Sequence, residues 1–449
     1  MKKILYSLLA VLAMVMSSCS NDDIEITRYV DNLQLQISTQ SFYDDFGITQ
    51  EIKDSLSQDY KVGIYTFIYD KNSNLVASKK SDTKNLGLET HSYTKIEEGV
   101  YTVIVAEMLE NENTSKNAWI IKGEDNLSTI QIAKNTPNSY SKDAVGLYAS
   151  ELYLNSESNV MNVTPKGIGA IIKAKMSNFN VSDYNLVAFC TKDEPQGRFL
   201  SPLFSGDDRF NYDGFNEKKE MSPRGYLYAN KLPSRDDVNV YVLEEGNLNY
   251  SFGALKNDEN GNLINSFWEY PNVGGTIFNV QDGHIYYGGF LYVSGDNITN
   301  DCVGELFATQ NEYNKWYVKN NGVKPLLNWG TSTEIVGSYM IENGMSFIIE
   351  GLISSNNNRY FVQQYKNTNG KLQYEYRFDK DKTNLKSILL VYSKDCYNDD
   401  NVYDYLVDDM GFSFKGYNSY YKRYAFETKE TTAMMYLRTD GIHVVFVPK

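Results

Sequence analysis

The chain has 449 residues, with 57 Asp and Glu against 43 Lys and Arg, and a net charge of −14. That balance excludes non-specific nucleic-acid binding, which needs clustered basic side chains, and attachment to anionic headgroups by surface charge. Tyrosine, at 37, outnumbers the 21 Phe and 4 Trp, and proline is scarce at 9, a composition that suits half-buried strand faces.

Lys2 and Lys3 open the chain, and Ile4 to Met16 is apolar apart from Ser7. As a helix that run rises about 20 Å, too little for a hydrocarbon core of roughly 30 Å, so it reads as an export signal and not as a membrane span. Met16, Ser17 and Ser18 before Cys19 resemble the bacterial lipobox. The resemblance implies cleavage after residue 18 and lipid on Cys19, each buried methylene contributing about 0.8 kcal/mol of anchorage. Ser20, Asn21, Asp22 and Asp23 resemble the serine-and-acid signal that sends Bacteroidota lipoproteins to the outer face of the outer membrane. Cleavage removes Lys2 and Lys3 and no acid, which takes the net charge from −14 to −16; lipid, not charge, must then hold the protein to the membrane. Residues 1–18 are thus expected to be a signal peptide and 19–33 an acidic lipidated tether.

Alternating apolar segments follow, and helix-period stripes are few, so a mainly β chain is expected. "VGIYTFIYD" (62–70) is apolar in both phases and reads as a central strand; "KNSN" (71–74) is a turn, and Leu75-Val76 begins the return. "VYTVIVAEM" (100–108), after Glu98-Gly99, is a second fully buried strand. "NVTPKGIGAIIKAKM" (162–176) reads as one strand with Ile168, Ala170, Ile172, Ala174 and Met176 on one face.

An aromatic-rich strand ending in Asp, a turn, "LV", then "GVYTVIV", and later "DAVGLYASELYL" (143–154) before a strand reached through Lys166-Gly167, together resemble the fimbrillin-associated anchor lipoproteins of Bacteroidota. The resemblance covers roughly residues 30–180. It implies a transthyretin-like β-sandwich over residues 34–178 and a protein that anchors or terminates a thin surface fimbria.

Residues 179–325 read as a second β domain. "VNVYVLEE" (238–245) and "TIFNVQDGHIYYGGFLYVSG" (276–295) are strand-rich, and Asp282-Gly283 and Asn260-Gly261 are two-residue hairpin signals. Asp258, Asn260, Asn262 and Glu269 stand at calcium-loop offsets, but Leu263 occupies the position that needs glycine, so the hairpin is expected. Residues 326–449 read as a smaller α+β domain. "TSTEIVGSYMIENG" (331–344) is a short helix with a Thr331/Glu334 capping box and a stop at Gly344. Strands follow, two of them joined through Asn369-Gly370, with Leu372, Tyr374, Tyr376 and Phe378 on one face. "NVYDYLVDDMG" (401–411) is a second short helix, and Asp440-Gly441 turns the last hairpin. Trp329-Gly330, the two-helix layout and the final "VVFVP" resemble a C-terminal unit that recurs in Bacteroidota lipoproteins.

Chemistry-bearing residues are sparse. His91, His284 and His443 are far apart in sequence, and His443 reads as a surface or edge residue. No G-x-S-x-G, H-E-x-x-H, P-loop or dinucleotide fingerprint is present. Cys190, Cys302 and Cys396 are odd in number and lack C-x-x-C spacing, so free thiols are expected rather than a disulfide framework or a zinc site. The paired acids at 207–208, 236–237, 399–400 and 408–409 read as solvated turns and helix ends. No catalytic residue, metal or cofactor is expected. Aromatics leave one binding possibility, because an exposed Tyr or Trp can stack on a sugar ring. Trp119, Trp268, Trp316 and Trp329 and the stretch "YNSYYKRY" (417–424) are the candidates; Trp268 and Trp329 sit among apolar residues and favour the core. Trp316, with polar neighbours, is the tryptophan most expected to face solvent, with Tyr420 and Tyr421 next. The expected function is that of a non-catalytic surface lipoprotein, a fimbria-associated anchor or adhesion subunit. The alternatives are a glycan-binding lipoprotein of a polysaccharide-uptake system and, less favoured, a carbohydrate-active enzyme.

Overall fold

A computed structural model describes residues 28–135, 140–155, 159–177, 184–191, 195–203, 210–212, 226–231, 237–243, 245–257, 263–269, 276–293, 301–355, 358–367, 370–394 and 397–449. The fold is mainly β. Strand Leu33–Ser38 shows why: Leu33, Leu35 and Ile37 are buried while Gln34 and Gln36 between them are half-buried, the two-residue period of a sheet with one apolar face. It lies between Val160–Val163 and Leu88–Tyr93 in a three-stranded sheet.

A five-stranded sheet faces the same core, in the order Lys166–Ile168, Val145–Leu154, Gly99–Asn111, Tyr60–Asp70, Leu75–Thr83. Gly99–Asn111 pairs from Tyr101 to Asn111 with Tyr60–Asp70 and over ten positions with Val145–Leu154. The two segments expected to be central are therefore central, and Tyr101 to Asn111 is buried on both faces. The edge strand Leu75–Thr83 returns from the turn at residues 71–74, where the Asp70 carboxylate accepts the backbone N–H of Asn72 at 2.8 Å and of Asn74 at 2.9 Å.

Residues 162–176 do not form one strand. Gly169, at φ +66°, breaks the run. Lys166–Ile168 pairs with Val145–Leu154, whereas Ala170–Ser177 lies between Asp237–Val242 and His284–Val293 in another sheet. A Cβ at Gly169 would sit 2.1 Å from the Val242 carbonyl oxygen, so only glycine lets the chain cross between sheets here. Strands on both sides of Gly169 contribute to one buried core running from Val30 to Leu306, and Gln131–Lys134 pairs with Pro195–Phe199 across that point in sequence.

Asp282-Gly283 is a tight turn but does not join a hairpin. Thr276–Val280 before it pairs with Gly246–Asn257, and His284–Val293 after it pairs with Ala170–Ser177 and Asp301–Phe307. The flanking strands thus belong to different sheets. Asn260-Gly261 lies outside the described residues, but the strands on either side of it, Gly246–Asn257 and Leu263–Glu269, do pair antiparallel.

A second core is built on an eight-stranded antiparallel sheet, ordered Ser346–Ser355, Asn358–Lys366, Leu372–Phe378, Leu385–Ser393, Gly441–Pro448, Thr431–Leu437, Arg423–Glu427, Ser413–Asn418. Asn358–Lys366 and Leu372–Phe378 pair antiparallel around Gly370, as do the last two strands in sequence around Asp440-Gly441. Leu372, Tyr374, Tyr376 and Phe378 are all buried on one face. The tyrosine hydroxyls are satisfied by the segment that crosses them: Tyr374 Oη donates to the Val323 carbonyl at 2.8 Å, and the Leu326 N–H donates to Tyr376 Oη at 3.2 Å. Helices Thr333–Glu342 and Asp399–Asp404 carry Val336, Met340 and Val402 into this core. Gly344, at φ +77°, ends the first of them, with the Met345 N–H donating to the Met340 carbonyl at 2.9 Å. Its N-cap is Ser332 and not Thr331, and no side chain caps it.

Helix Gln310–Asn320 departs from the expectation of an all-strand segment before residue 326. It is capped by a reciprocal Thr309/Glu312 box and brings Tyr313, Tyr317 and Val318 into the second core. The second core thus begins before residue 326.

Candidate functional site: an aromatic hairpin and an open sheet edge

Cys19 and Ser20, Asn21, Asp22 and Asp23 lie outside the described residues, as do Cys396 and the side chains of Cys190, Cys302 and Trp268. Trp119 is buried and its indole N–H donates to the Asp143 carbonyl at 2.8 Å. Trp329 packs on the second core and donates to Thr431 Oγ1 at 3.0 Å. Trp316 is half-buried: its helix turns it onto the second core with its ring 6.1 Å from that of Phe307. The solvent-facing platform expected at Trp316 is therefore absent, because polar sequence neighbours on a helix point to other faces.

The other two expected residues are exposed. The turn between Ser413–Asn418 and Arg423–Glu427 presents Tyr420 at 86% and Tyr421 at 60% exposure. Their rings stand edge to face at 4.8 Å, and the Asn418 carboxamide oxygen accepts the Tyr421 N–H at 3.1 Å. Behind them Tyr417 packs on Tyr424 at 4.6 Å, and the Arg423 guanidinium lies 5.9 Å from the Tyr421 ring. The tip offers tilted aromatic faces beside a cation, which suits stacking on a ring.

The opposite edge of the same sheet has a different chemistry. Strand Ser346–Ser355 pairs only with Asn358–Lys366 among the described residues. Its Phe347, Ile348, Ile349, Leu352 and Ile353 are 37–63% exposed. Phe347 and Leu352 pair with Tyr365 and Phe361, whose side chains enter the core, while Ile349 and Ile353 pair with Gln364 and Tyr360, which do not. The strand is therefore apolar on both faces and open along one side. Glu350 is its one ionisable residue, and Gln363 Nε2 donates to its carboxylate at 3.1 Å. Two other edges are blunted, as sheet edges ordinarily are. Leu75–Thr83 carries Lys79, Lys80 and Asp82, and Ser413–Asn418 carries Lys415 and a bulge between Phe414 and Gly416.

His91 is buried between the N-terminal sheets, 2.8 Å from Thr66 Oγ1 and 2.6 Å from Ser81 Oγ, and burial with help from Lys79 pushes it down to about 4. His284 is exposed, with Nδ1 2.9 Å from the Asp282 carbonyl. His443 lies on an inner strand of the eight-stranded sheet, not an edge, half-buried and 3.1 Å from Asp440. Among the described residues no three His, Cys, Asp or Glu side chains are grouped to hold a metal ion, and no helix is long and apolar enough to cross a membrane.

No protein-family model matches the chain, and no curated protein matches it. Similar solved structures include a candidate polysaccharide-binding protein of Bacteroides thetaiotaomicron, at 13% identity over 63% of this chain and 99% of that one, with a TM-score of 0.34. A fimbrial assembly protein of Parabacteroides distasonis is 14% identical over 62% of this chain and 98% of its own, with a TM-score of 0.31. The tip fimbrial protein Mfa3 of Porphyromonas gingivalis, C-terminally truncated, is 9% identical over 62% of this chain and 100% of its own, with a TM-score of 0.30. Other similar structures are described as adhesins or cell adhesion proteins of Bacteroides species.

Proposed function

We propose that the protein is a non-catalytic cell-surface lipoprotein, a fimbria-associated anchor or adhesion subunit that binds a protein partner. The observation that carries this reading is the open, doubly apolar edge strand Ser346–Ser355. A long apolar edge left unpaired invites strand addition, and strand addition joins proteins through main-chain hydrogen bonds. In this reading the N-terminal strands form transthyretin-like sandwiches in tandem, and lipid on Cys19 holds the chain at the outer membrane, Ser20 to Asp23 directing it to the cell surface.

A second reading, glycan binding, rests on the adjacent Tyr420 and Tyr421, exposed at 86% and 60%. One experiment separates the two. Lipid-free protein, residues 20–449, is used for a pull-down from cell-surface extracts and on a glycan array. Capture of a fimbrial subunit, undisturbed by Tyr420→Ala and Tyr421→Ala, supports the anchor. An array signal lost on either substitution, with no protein captured, replaces it with the glycan binder.

A further inference from the structure

We infer that the strand accepted at Ser346–Ser355 comes from a different protein and carries a lysine or arginine at its centre, opposite Glu350, with apolar residues on both sides of it. This deepens the adhesion-subunit reading and rests on it for the partner being a protein.

The argument starts from the order of residues along the edge. Phe347, Ile348 and Ile349 precede Glu350, and Leu352 and Ile353 follow Gly351. The apolar run is centred on its only charge. An incoming strand that covers all five apolar side chains must therefore place a residue opposite Glu350, on the face that also carries Phe347 and Leu352. Covering a carboxylate without a partner is costly, whereas an opposite charge directly across an antiparallel pair is favourable. Gln363 already donates to one oxygen of this carboxylate. A lysine or arginine on the incoming strand would complete the pairing.

The same geometry excludes a second copy of this chain. Antiparallel self-pairing centred on the apolar run puts Glu350 opposite the copy's own Glu350, and like charges across a pair are destabilising. A shift that separates the two carboxylates sets Phe347 and Ile348 against serines and leaves them less covered. The net charge of −14 opposes self-association further.

The edge also tolerates a partner that is apolar on both faces. Helix Thr333–Glu342 covers the inner face of the sheet over Tyr365, but Phe347 at 48% and Leu352 at 63% exposure extend beyond it. Ile349 and Ile353 on the outer face are 57% and 37% exposed. Side chains of an added strand would meet apolar surface above and below.

The test uses the folded chain, residues 20–449, and three labelled nonapeptides of valine and threonine: one with a central lysine, one with a central glutamate, and one with the central lysine and prolines on either side. Affinities are read by fluorescence anisotropy. The lysine peptide should bind about fivefold or more tightly than the glutamate peptide, and Glu350→Lys should invert that order, since the substitution is on an exposed side chain and leaves the fold intact by circular dichroism. The proline peptide should not bind, because proline removes donors from the ladder. Equal binding of the lysine and glutamate peptides, binding of neither, or a dimer in sedimentation that Glu350→Lys alters would overturn the inference. Capture of a fimbrial subunit without any such charge preference would leave the adhesion-subunit reading standing and remove this one.

Discussion

Arg198 and Asp282 form a two-pronged ion pair in the interior, with Nη1 to Oδ1 and Nη2 to Oδ2 both at 2.6 Å and the Arg198 side chain fully buried. Asp282 Oδ1 also accepts the Gly169 N–H at 2.7 Å, and Arg198 Nη1 donates to the Leu243 carbonyl at 3.2 Å. One side-chain pair therefore ties strand Pro195–Phe199 to the turn at 282–283 and to the crossover at Gly169. Burial pushes the guanidinium down, and the bond to Asp282 and its charge outweigh that and leave it above its ordinary value.

Removing Asp282 should leave the buried guanidinium a weaker set of partners, with the Glu245 carboxylate 3.3 Å from Nη2. Asp282→Ala is expected to cost about 3 kcal/mol, the low end for a buried pair, because Asp282 itself is partly exposed. Arg198→Met should cost less, since no buried cation remains. Urea unfolding of the two variants checks the order; a milder loss in Asp282→Ala than in Arg198→Met would contradict it.

Glu107 should be a pH-dependent weak point of the first core. It is fully buried on Gly99–Asn111, and neither carboxylate oxygen finds a protein hydrogen-bond partner. Burial raises its pKa well above the ordinary carboxylate value. The folded state therefore favours the protonated acid: stability is fully present below the unfolded pKa of about 4.3 and is lost as pH rises toward the folded value. Glu107→Gln should stabilise the protein by about 1–3 kcal/mol at pH 8 and change little at pH 4. Thermal melts at the two pH values measure the difference, and equal effects at both would refute the assignment.

Asp143 has a defined window. Burial pushes it up to about 7, against the Tyr140 N–H that donates to it at 2.6 Å and against the nearby charge of Lys142. The sign is that of Glu107. Stability is fully present below about pH 4 and declines up to about pH 7, by on the order of 2–4 kcal/mol. Asp143→Asn keeps an oxygen acceptor and should flatten the decline; denaturant midpoints between pH 4.5 and 7.5 would show whether it does.

Tyr420→Ala and Tyr421→Ala should leave stability within about 0.5 kcal/mol, as expected for exposed positions away from caps and cores. Trp316→Ala should cost about 2 kcal/mol or more through lost packing on the second core. Melting temperatures distinguish the two groups, and a neutral Trp316→Ala would return that residue to the list of exposed platforms.

Cys19→Ala should release the protein from the outer-membrane fraction, since lipid is expected to supply nearly all its membrane affinity. Replacing Asp22 and Asp23 with alanine should keep lipidation but reduce protease accessibility on intact cells. Retention of the Cys19→Ala protein after a salt wash would remove the anchor.

Local pattern was enough for much of this protein. The apolar double phase of residues 62–70 and 100–108 announced central strands, Gly344 announced a helix end, and Asp440-Gly441 a hairpin, because each depends on neighbours in sequence. Two further signals stand in the sequence: Ile48, Ile52 and Leu56 at four-residue spacing mark helix Thr49–Leu56, and Thr309 with Glu312 marks the start of Gln310–Asn320. Other features depended on the tertiary structure. Asp282-Gly283 looks the same in a hairpin and in a crossover between sheets; the distant Arg198 and the separate pairing of the flanking strands decide which it is. Trp316 has polar neighbours in sequence and apolar ones in space. The run from Phe347 to Ile353 would be buried in an inner strand, and only its position at the end of an eight-stranded order, known once every other strand has its partner, turns it into an open edge.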